Sequence, residues 1–277
     1  MKILVPTDFS ALSKVAVLYA ANMAKKLYGA EIILLHIVYI DASARTQVAM
    51  KEKQLLDAMA DNATQEFVLL TNEIKKLDGS EVKITPKIVK GCPVEDVIEN
   101  FAYHNNIDLI IMGTKGASGI KKVLMGSNAA AVISNSTIPV ITVPEHSRFK
   151  PIKNIIYATD LQSIENEIKA LIPLAQLFES TVHILHVISP DSKKIIDKAQ
   201  IKKDIVSKYT YPHIFVQVSI SDDITEGIGE YIVQTKADMI AMFTHKLTFF
   251  EKLFGKSFTR KVAFHTWIPL LAIKKAF

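Results

Sequence analysis

The segment KILVPTD at residues 2–8 recurs as NIIYATD at residues 154–160, and this repetition decides the fold. Each copy is a short apolar run that ends in Thr-Asp and leads into a helix-forming stretch. Three more pairs of segments match in the same order: IILLHIV (32–38) with VHILHVI (182–188), DLIIM (108–112) with DMIAM (238–242), and IPVITV (138–143) with IPLLAI (268–273). The chain therefore contains two copies of one unit.

Short β-branched runs alternate with helix-forming segments in each copy. In copy one we expect strands near residues 2–6, 31–38, 82–89, 108–113 and 138–143, and helices near 10–28, 46–77, 93–105 and 123–135. In copy two we expect strands near 154–159, 181–188, 213–219, 238–243 and 268–274. Continuous apolar strands of this kind are typical of a parallel sheet that is buried on both faces. The sequence thus predicts an α/β protein of two tandem, doubly wound (Rossmann-like), five-stranded parallel-sheet domains, at 1–145 and 150–277.

The two copies differ in length between their second and fourth strands. His36 matches His186, an offset of 150, whereas Met112 matches Met242, an offset of 130. The difference, 150 minus 130, places 20 extra residues in copy one. They lengthen the segment 46–77, which contains no proline or glycine and is therefore expected to be one long helix.

Composition narrows the class of protein. A chain of 277 residues suits two domains, and its net charge of +5 comes with lysines scattered as isolated pairs. No nucleic-acid-binding signature accompanies them, so we interpret them as solvated surface charges. The single cysteine, Cys92, excludes an internal disulfide and fits a reducing compartment. We find no leader or membrane-spanning pattern and expect a cytoplasmic protein.

Regularly spaced glycines follow the fourth strand of copy one. Gly113 and Gly116 precede Gly126, Ser127 and Asn128, which stand at an expected helix start. An open parallel sheet binds ligands beyond the carboxyl ends of its strands, where the strand order reverses. Glycine allows a close approach of the backbone to a phosphate, and a helix N-terminus supplies amide donors. The spacing therefore predicts a phosphate-binding loop.

This spacing resembles the Gly-x2-Gly-x9-Gly-(Ser/Thr) motif of the ATP-binding universal stress proteins, and the segments ILVPTD (3–8) and IPVITV (138–143) are similar to theirs as well. The resemblance covers the whole chain as a tandem pair. It implies a regulatory or stress-response protein that binds ATP, AMP or ADP, and it leaves open whether Mg²⁺ accompanies the nucleotide. The implied binding residues are Pro6, Thr7, Asp8, Val38, Met112, Gly113, Gly116, Gly126, Ser127 and Asn128.

The resemblance also implies a role for most of these residues. Asp8 and the backbone near Val38 are expected to receive the adenine, and Met112 and Gly113 to line the ribose side. The remaining four are expected to hold the phosphates: Gly116, Gly126, Ser127 and Asn128.

Copy two departs from this motif. Gly113, Gly116 and Gly126 align with Phe243, Lys246 and Lys256, although Asp160 and Ser257 are retained. Because bulky side chains replace the glycines, we expect one nucleotide site per chain, in copy one. Five histidines of copy two match no ligand spacing, and no metal site is expected from them: His183, His186, His213, His245 and His265.

Two other classes of function stay open. One is an enzyme, a slow ATP hydrolase or nucleotidyl transferase, although no paired carboxylates for a catalytic metal stand out. The other is an interaction scaffold with a vestigial pocket. The protein partner is unknown. The final apolar strand of each copy would be an exposed sheet edge in isolation, so we expect the copies to pair as an intramolecular pseudo-dimer. A homodimer of the whole chain is a further option.

Overall fold

Five parallel strands form the centre of each half of the chain. The computed structural model describes residues 1–40, 52–78, 82–114, 126–193, 195–243 and 268–274. The chain divides into two units, Met1–Phe149 and Lys150–Phe277, called unit 1 and unit 2 below. No helix within the described ranges is long and apolar enough to cross a membrane.

Unit 1 alternates strands and helices. Its elements are β1 (Lys2–Pro6), α1 (Ala11–Lys26), β2 (Glu31–Val38), α2 (Glu52–Asp78), β3 (Lys83–Lys90), α3 (Val94–His104), β4 (Leu109–Gly113), α4 (Ser127–Asn135) and β5 (Val140–Val143). The strand order is β3-β2-β1-β4-β5, and the described pairings are parallel. The chain therefore reverses its direction of winding between β1 and β4, which is where such sheets bind ligands.

Unit 2 repeats this arrangement. Its elements are β6 (Asn154–Ala158), α5 (Ile164–Phe178), β7 (Thr181–Ile188), α6 (Lys198–Tyr209), β8 (Ile214–Ile220), α7 (Ile224–Thr235), β9 (Met239–Phe243) and β10 (Leu270–Ile273). The strand order β8-β7-β6-β9-β10 is that of unit 1. The extra length of copy one is visible in the second helix of each unit, because α2 has 27 residues and α6 has 12.

The last strand of each unit begins two residues later than the sequence predicts, at Val140 and Leu270. Each is preceded by a proline, which has no amide hydrogen to donate to a sheet. The proline carbonyls still take part, because Ile110 N donates to Pro139 O and Ile240 N to Pro269 O, both at 3.0 Å. The expected helices 46–77 and 123–135 are described only from residues 52 and 127.

Candidate functional site

A cavity of about 310 Å³ lies at the carboxyl ends of β1 and β4, at the reversal of the strand order. Eight of the residues predicted from the sequence line it: Pro6, Thr7, Asp8, Met112, Gly113, Gly126, Ser127 and Asn128. The wall also includes residues that were not among the predicted binding residues: Ser13, Leu35, His36, Ile37, Tyr39, Val94, Ile98 and Ala129. The strand ends thus bring distant parts of unit 1 together at one opening.

Of the two remaining predicted residues, the structure describes only Val38, which is not part of this wall. Val38 is fully buried, and its carbonyl accepts a hydrogen bond from the Gly91 amide at 3.2 Å. Its neighbours Ile37 and Tyr39 line the cavity instead. Gly116 lies outside the described residues.

The loop after β1 is held by its own side chains. The Thr7 amide donates to Leu35 O at 2.8 Å, and the Thr7 hydroxyl accepts from the Phe9 amide at 3.1 Å. The same hydroxyl lies 3.0 Å from the Ser13 hydroxyl on α1, and both side chains are buried. The Asp8 carboxylate accepts from the amide and hydroxyl of Ser10, at 3.1 and 2.6 Å. These bonds orient Asp8 at the cavity before any ligand arrives.

His36 joins this loop to β2. Its Nδ1 lies 2.8 Å from the Thr7 carbonyl oxygen, which can only accept, so Nδ1 carries the hydrogen and donates. The His36 ring lies 4.6 Å from the Phe9 ring, measured between centroids. Phe9 in turn contacts Phe67 of α2 edge to face, at 5.0 Å. The loop is thereby attached to the sheet and to the long helix.

The N-terminus of α4 also forms part of the cavity wall. Gly126 caps the helix, its amide donates to Thr114 O at 2.7 Å, and Ser127 and Asn128 follow it into the cavity wall. The first amides of a helix have no acceptor within the helix and carry partial positive charge. No acidic residue occupies the first turn of α4, whereas Glu95 and Asp96 occupy that of α3. The α4 terminus is therefore suited to receive an anion.

Unit 2 contains a near copy of the Thr-Asp loop. The Thr159 amide donates to Leu185 O at 3.0 Å, and His186 Nδ1 donates to Thr159 O at 2.7 Å. Leu161 has φ 64°, close to the 61° of Phe9, and Asp160 accepts from the Gln162 amide at 3.0 Å. The loop geometry is thus a property of the fold and does not by itself distinguish a binding unit from a non-binding one.

The two Thr-Asp loops differ in the buried side chains that pack against them. Tyr157, which stands two residues before Thr159, is fully buried, and its hydroxyl lies 3.0 Å from the Thr159 hydroxyl and donates to the buried Glu167 carboxylate. Its ring packs edge to face on Phe243, at 5.6 Å between centroids. Burial, followed by the charge of Glu167, raises the pKa of the Tyr157 phenol. In unit 1 the corresponding positions hold Val5 and Gly113.

Two of the three described histidines of unit 2, His183 and His186, make side-chain hydrogen bonds within the protein, and the third, His213, packs edge to face against Tyr211 at 5.6 Å between ring centroids. His183 lies between the Tyr231 hydroxyl at 3.1 Å and Asn154 Oδ1 at 3.2 Å, and burial lowers its pKa. His186 donates to the loop, as described above. Among the residues that the structure describes, no group of three His, Cys, Asp or Glu side chains could hold a metal ion. His245 and His265 lie outside that set.

Comparison with known proteins defines the class. The model of the universal stress protein family matches residues 1–144 and again residues 151–274, so the chain belongs to this family and carries its domain twice. Universal stress protein MJ0531 of Methanocaldococcus jannaschii is 32% identical over 143 residues, which are 51% of this chain and 81% of that protein. MJ0577 of the same organism is 30% identical over 156 residues, covering 51% of this chain and 93% of that protein.

One solved structure is similar in fold to this chain over both units. The crystal structure of a universal stress protein from Archaeoglobus fulgidus DSM 4304 covers 99% of this chain, and 98% of that chain is matched in turn. The TM-score is 0.68 at 18% sequence identity, so the likeness concerns the fold.

Proposed function

We propose that unit 1 binds an adenine nucleotide, with ATP as the leading candidate, and that the chain is a nucleotide-binding regulatory protein of the stress response. The observation that carries the proposal is the cavity at the reversal of the strand order, which is lined by eight of the predicted binding residues. Its volume of about 310 Å³ is at the lower end of the range of small-molecule sites, about 300–1,000 Å³.

The proposed roles follow from the chemistry of each wall. The amides of Ser127 and Asn128 and the Ser127 hydroxyl are donors suited to phosphate oxygens. Gly113 and Gly126 have no side chain and leave room for phosphates to reach these donors. Asp8, held in orientation by Ser10, is an acceptor suited to the amino group of adenine. When bound, the nucleotide would add its binding free energy to the stability of unit 1.

Unit 2 is proposed not to bind nucleotide in this way. Phe243 stands at the position of Gly113 and packs on Tyr157, so an aromatic side chain is present where unit 1 has a glycine that lines the cavity. The single-cysteine composition is consistent with a cytoplasmic location, which we include in the proposal.

We expect calorimetric titration of the full chain with ATP to give one site per chain. The titration is run with and without Mg²⁺ and repeated with ADP, AMP and GTP. GTP should bind more weakly, because Asp8 is proposed to accept a hydrogen bond from the amino group of adenine. Two equivalent sites would contradict the assignment to unit 1 alone. The absence of any binding would overturn the proposed function and favour an interaction scaffold.

An enzymatic function makes a different prediction. Among the described residues of the cavity wall, Asp8 is the one carboxylate, so no pair of carboxylates is available there to hold a catalytic metal. With excess ATP and Mg²⁺ we expect turnover far below about 10 per second, a median value for enzymes. Steady-state release of phosphate or pyrophosphate near that rate would replace the binding-protein interpretation with an ATP hydrolase or nucleotidyl transferase.

A further inference from the structure

Phe9 does not line the cavity, yet it sits at the centre of the loop that does. Its backbone has φ 61°, a left-handed conformation that is uncommon for residues other than glycine. Its amide is bonded to the Thr7 hydroxyl, and the next amide, that of Ser10, is bonded to the Asp8 carboxylate. Any change in the Phe9 backbone would therefore displace the carboxylate that faces the cavity.

The Phe9 ring is held by contacts from two directions. His36 lies against it at 4.6 Å, and Phe67 meets it edge to face at 5.0 Å. Phe67 is only 3% exposed and belongs to α2, the helix that is 27 residues long in unit 1 and is replaced by a 12-residue helix in unit 2. The second helix of unit 1 thus supplies a direct contact to the loop.

Unit 2 supports the same loop by other means. Leu161 adopts the left-handed conformation there, and the Thr159 hydroxyl lies on the buried Tyr157 and Glu167 side chains. In unit 1, Val5 stands at the position of Tyr157, and it has no hydroxyl that could bond to the Thr7 side chain. The two units thus support their Thr-Asp loops through different side chains.

We propose that Phe67 and Phe9 are positioning residues, through which α2 holds the loop of Thr7 and Asp8 in its ligand-binding geometry. This inference rests on the proposed nucleotide site, because it assigns the means by which the loop of that site is held in position. Neither ring touches the cavity, so both act through the backbone of the loop.

The first arm of the test measures ATP affinity in the full chain. Phe67→Leu and Phe9→Leu are each expected to weaken ATP binding about tenfold, equivalent to about 1.4 kcal/mol. The double variant should bind no more weakly than Phe9→Leu alone, because Phe9→Leu already removes the contact between the two rings. Phe9→Tyr keeps the ring and should retain wild-type affinity. The matched control, Phe149→Leu, removes another edge-to-face contact of unit 1, with Tyr19 at 5.2 Å, and should leave affinity unchanged.

The second arm needs no ligand. Hydrogen exchange of the Phe9 and Ser10 amides should accelerate about tenfold in Phe67→Leu, because local opening of the loop becomes easier. The Leu161 and Gln162 amides of unit 2 make the equivalent bonds and serve as an internal control that should not change.

The two arms separate the possible failures. Wild-type protein that binds no nucleotide would overturn the proposed function, while the exchange measurement would still decide whether α2 orders the loop. Unchanged exchange at Phe9 and Ser10 in Phe67→Leu, or wild-type ATP affinity in both leucine variants, would overturn the positioning role. Additive losses in the double variant would show that the two rings act independently and would overturn it as well.

Discussion

Replacing Gly126 with valine is expected to abolish nucleotide binding while unit 1 stays folded. Gly126 has φ −67° and ψ 156°, an extended conformation that suits a β-branched residue, so the backbone does not require glycine here. The residue lines the cavity at the N-terminus of α4, where added methyl groups would take the place of a phosphate. We expect ATP affinity to fall at least about a hundredfold, comparable to losing one or two hydrogen bonds to a charged group.

The matched control is Ala130→Val, which places the same valine side chain on α4 at a residue that does not line the cavity. Titration calorimetry and circular dichroism of both variants check the prediction. If Gly126→Val folds and binds ATP with wild-type affinity, the phosphates do not lie at this helix terminus. Gly116→Val is the matching prediction for the second glycine of the motif, which rests on the sequence alone.

The position of the cavity could be predicted because it depends on strand order and spacing. Parallel strands end at the same edge of a sheet, so residues that follow β1 and β4 must converge once the winding reverses between them. That rule needed only the apolar runs and the glycines that follow them. Pairing of the two units through their last strands rests on a different argument, the exposed apolar edge that each isolated sheet would have, and stays a prediction.

The helical part of the wall could not be predicted in this way. Ser13, Val94 and Ile98 reach the cavity because of the rotation of α1 and α3 about their axes, which is set by packing against the sheet. A contact such as Phe9 with Phe67 joins residues 58 positions apart and has no signal in either local segment. Glu167 is similarly hidden, because an acidic residue near the start of a helix is usually a solvated charge that favours the helix dipole.

The buried pair of Tyr157 and Glu167 is expected to make a large contribution to the stability of unit 2. Tyr157 is fully buried, its ring packs on Phe243, and its hydroxyl donates to a carboxylate that is only 2% exposed. Tyr157→Ala is expected to lower the free energy of unfolding of unit 2 by about 3–5 kcal/mol, as for other large aromatic residues truncated in a core. Tyr157→Phe keeps the ring and should cost about 1–3 kcal/mol, because the carboxylate loses a donor.

Denaturant unfolding followed by the fluorescence of Trp267 measures this loss, because the chain has one tryptophan and it belongs to unit 2.

The dependence of stability on alkaline pH supplies an independent measurement. The pKa of Tyr157 is raised by folding, so its stabilisation is complete below the ordinary phenol pKa of about 10 and is lost as the pH rises above it. Tyr157→Phe should therefore lose less stability between about pH 9 and about pH 11 than the wild type does. ATP affinity should stay unchanged in both variants, since unit 1 holds the proposed site. Equal unfolding free energies and equal alkaline slopes in wild type and Tyr157→Phe would show that the hydroxyl contributes nothing, and a loss of ATP binding would show that unit 2 takes part in the site.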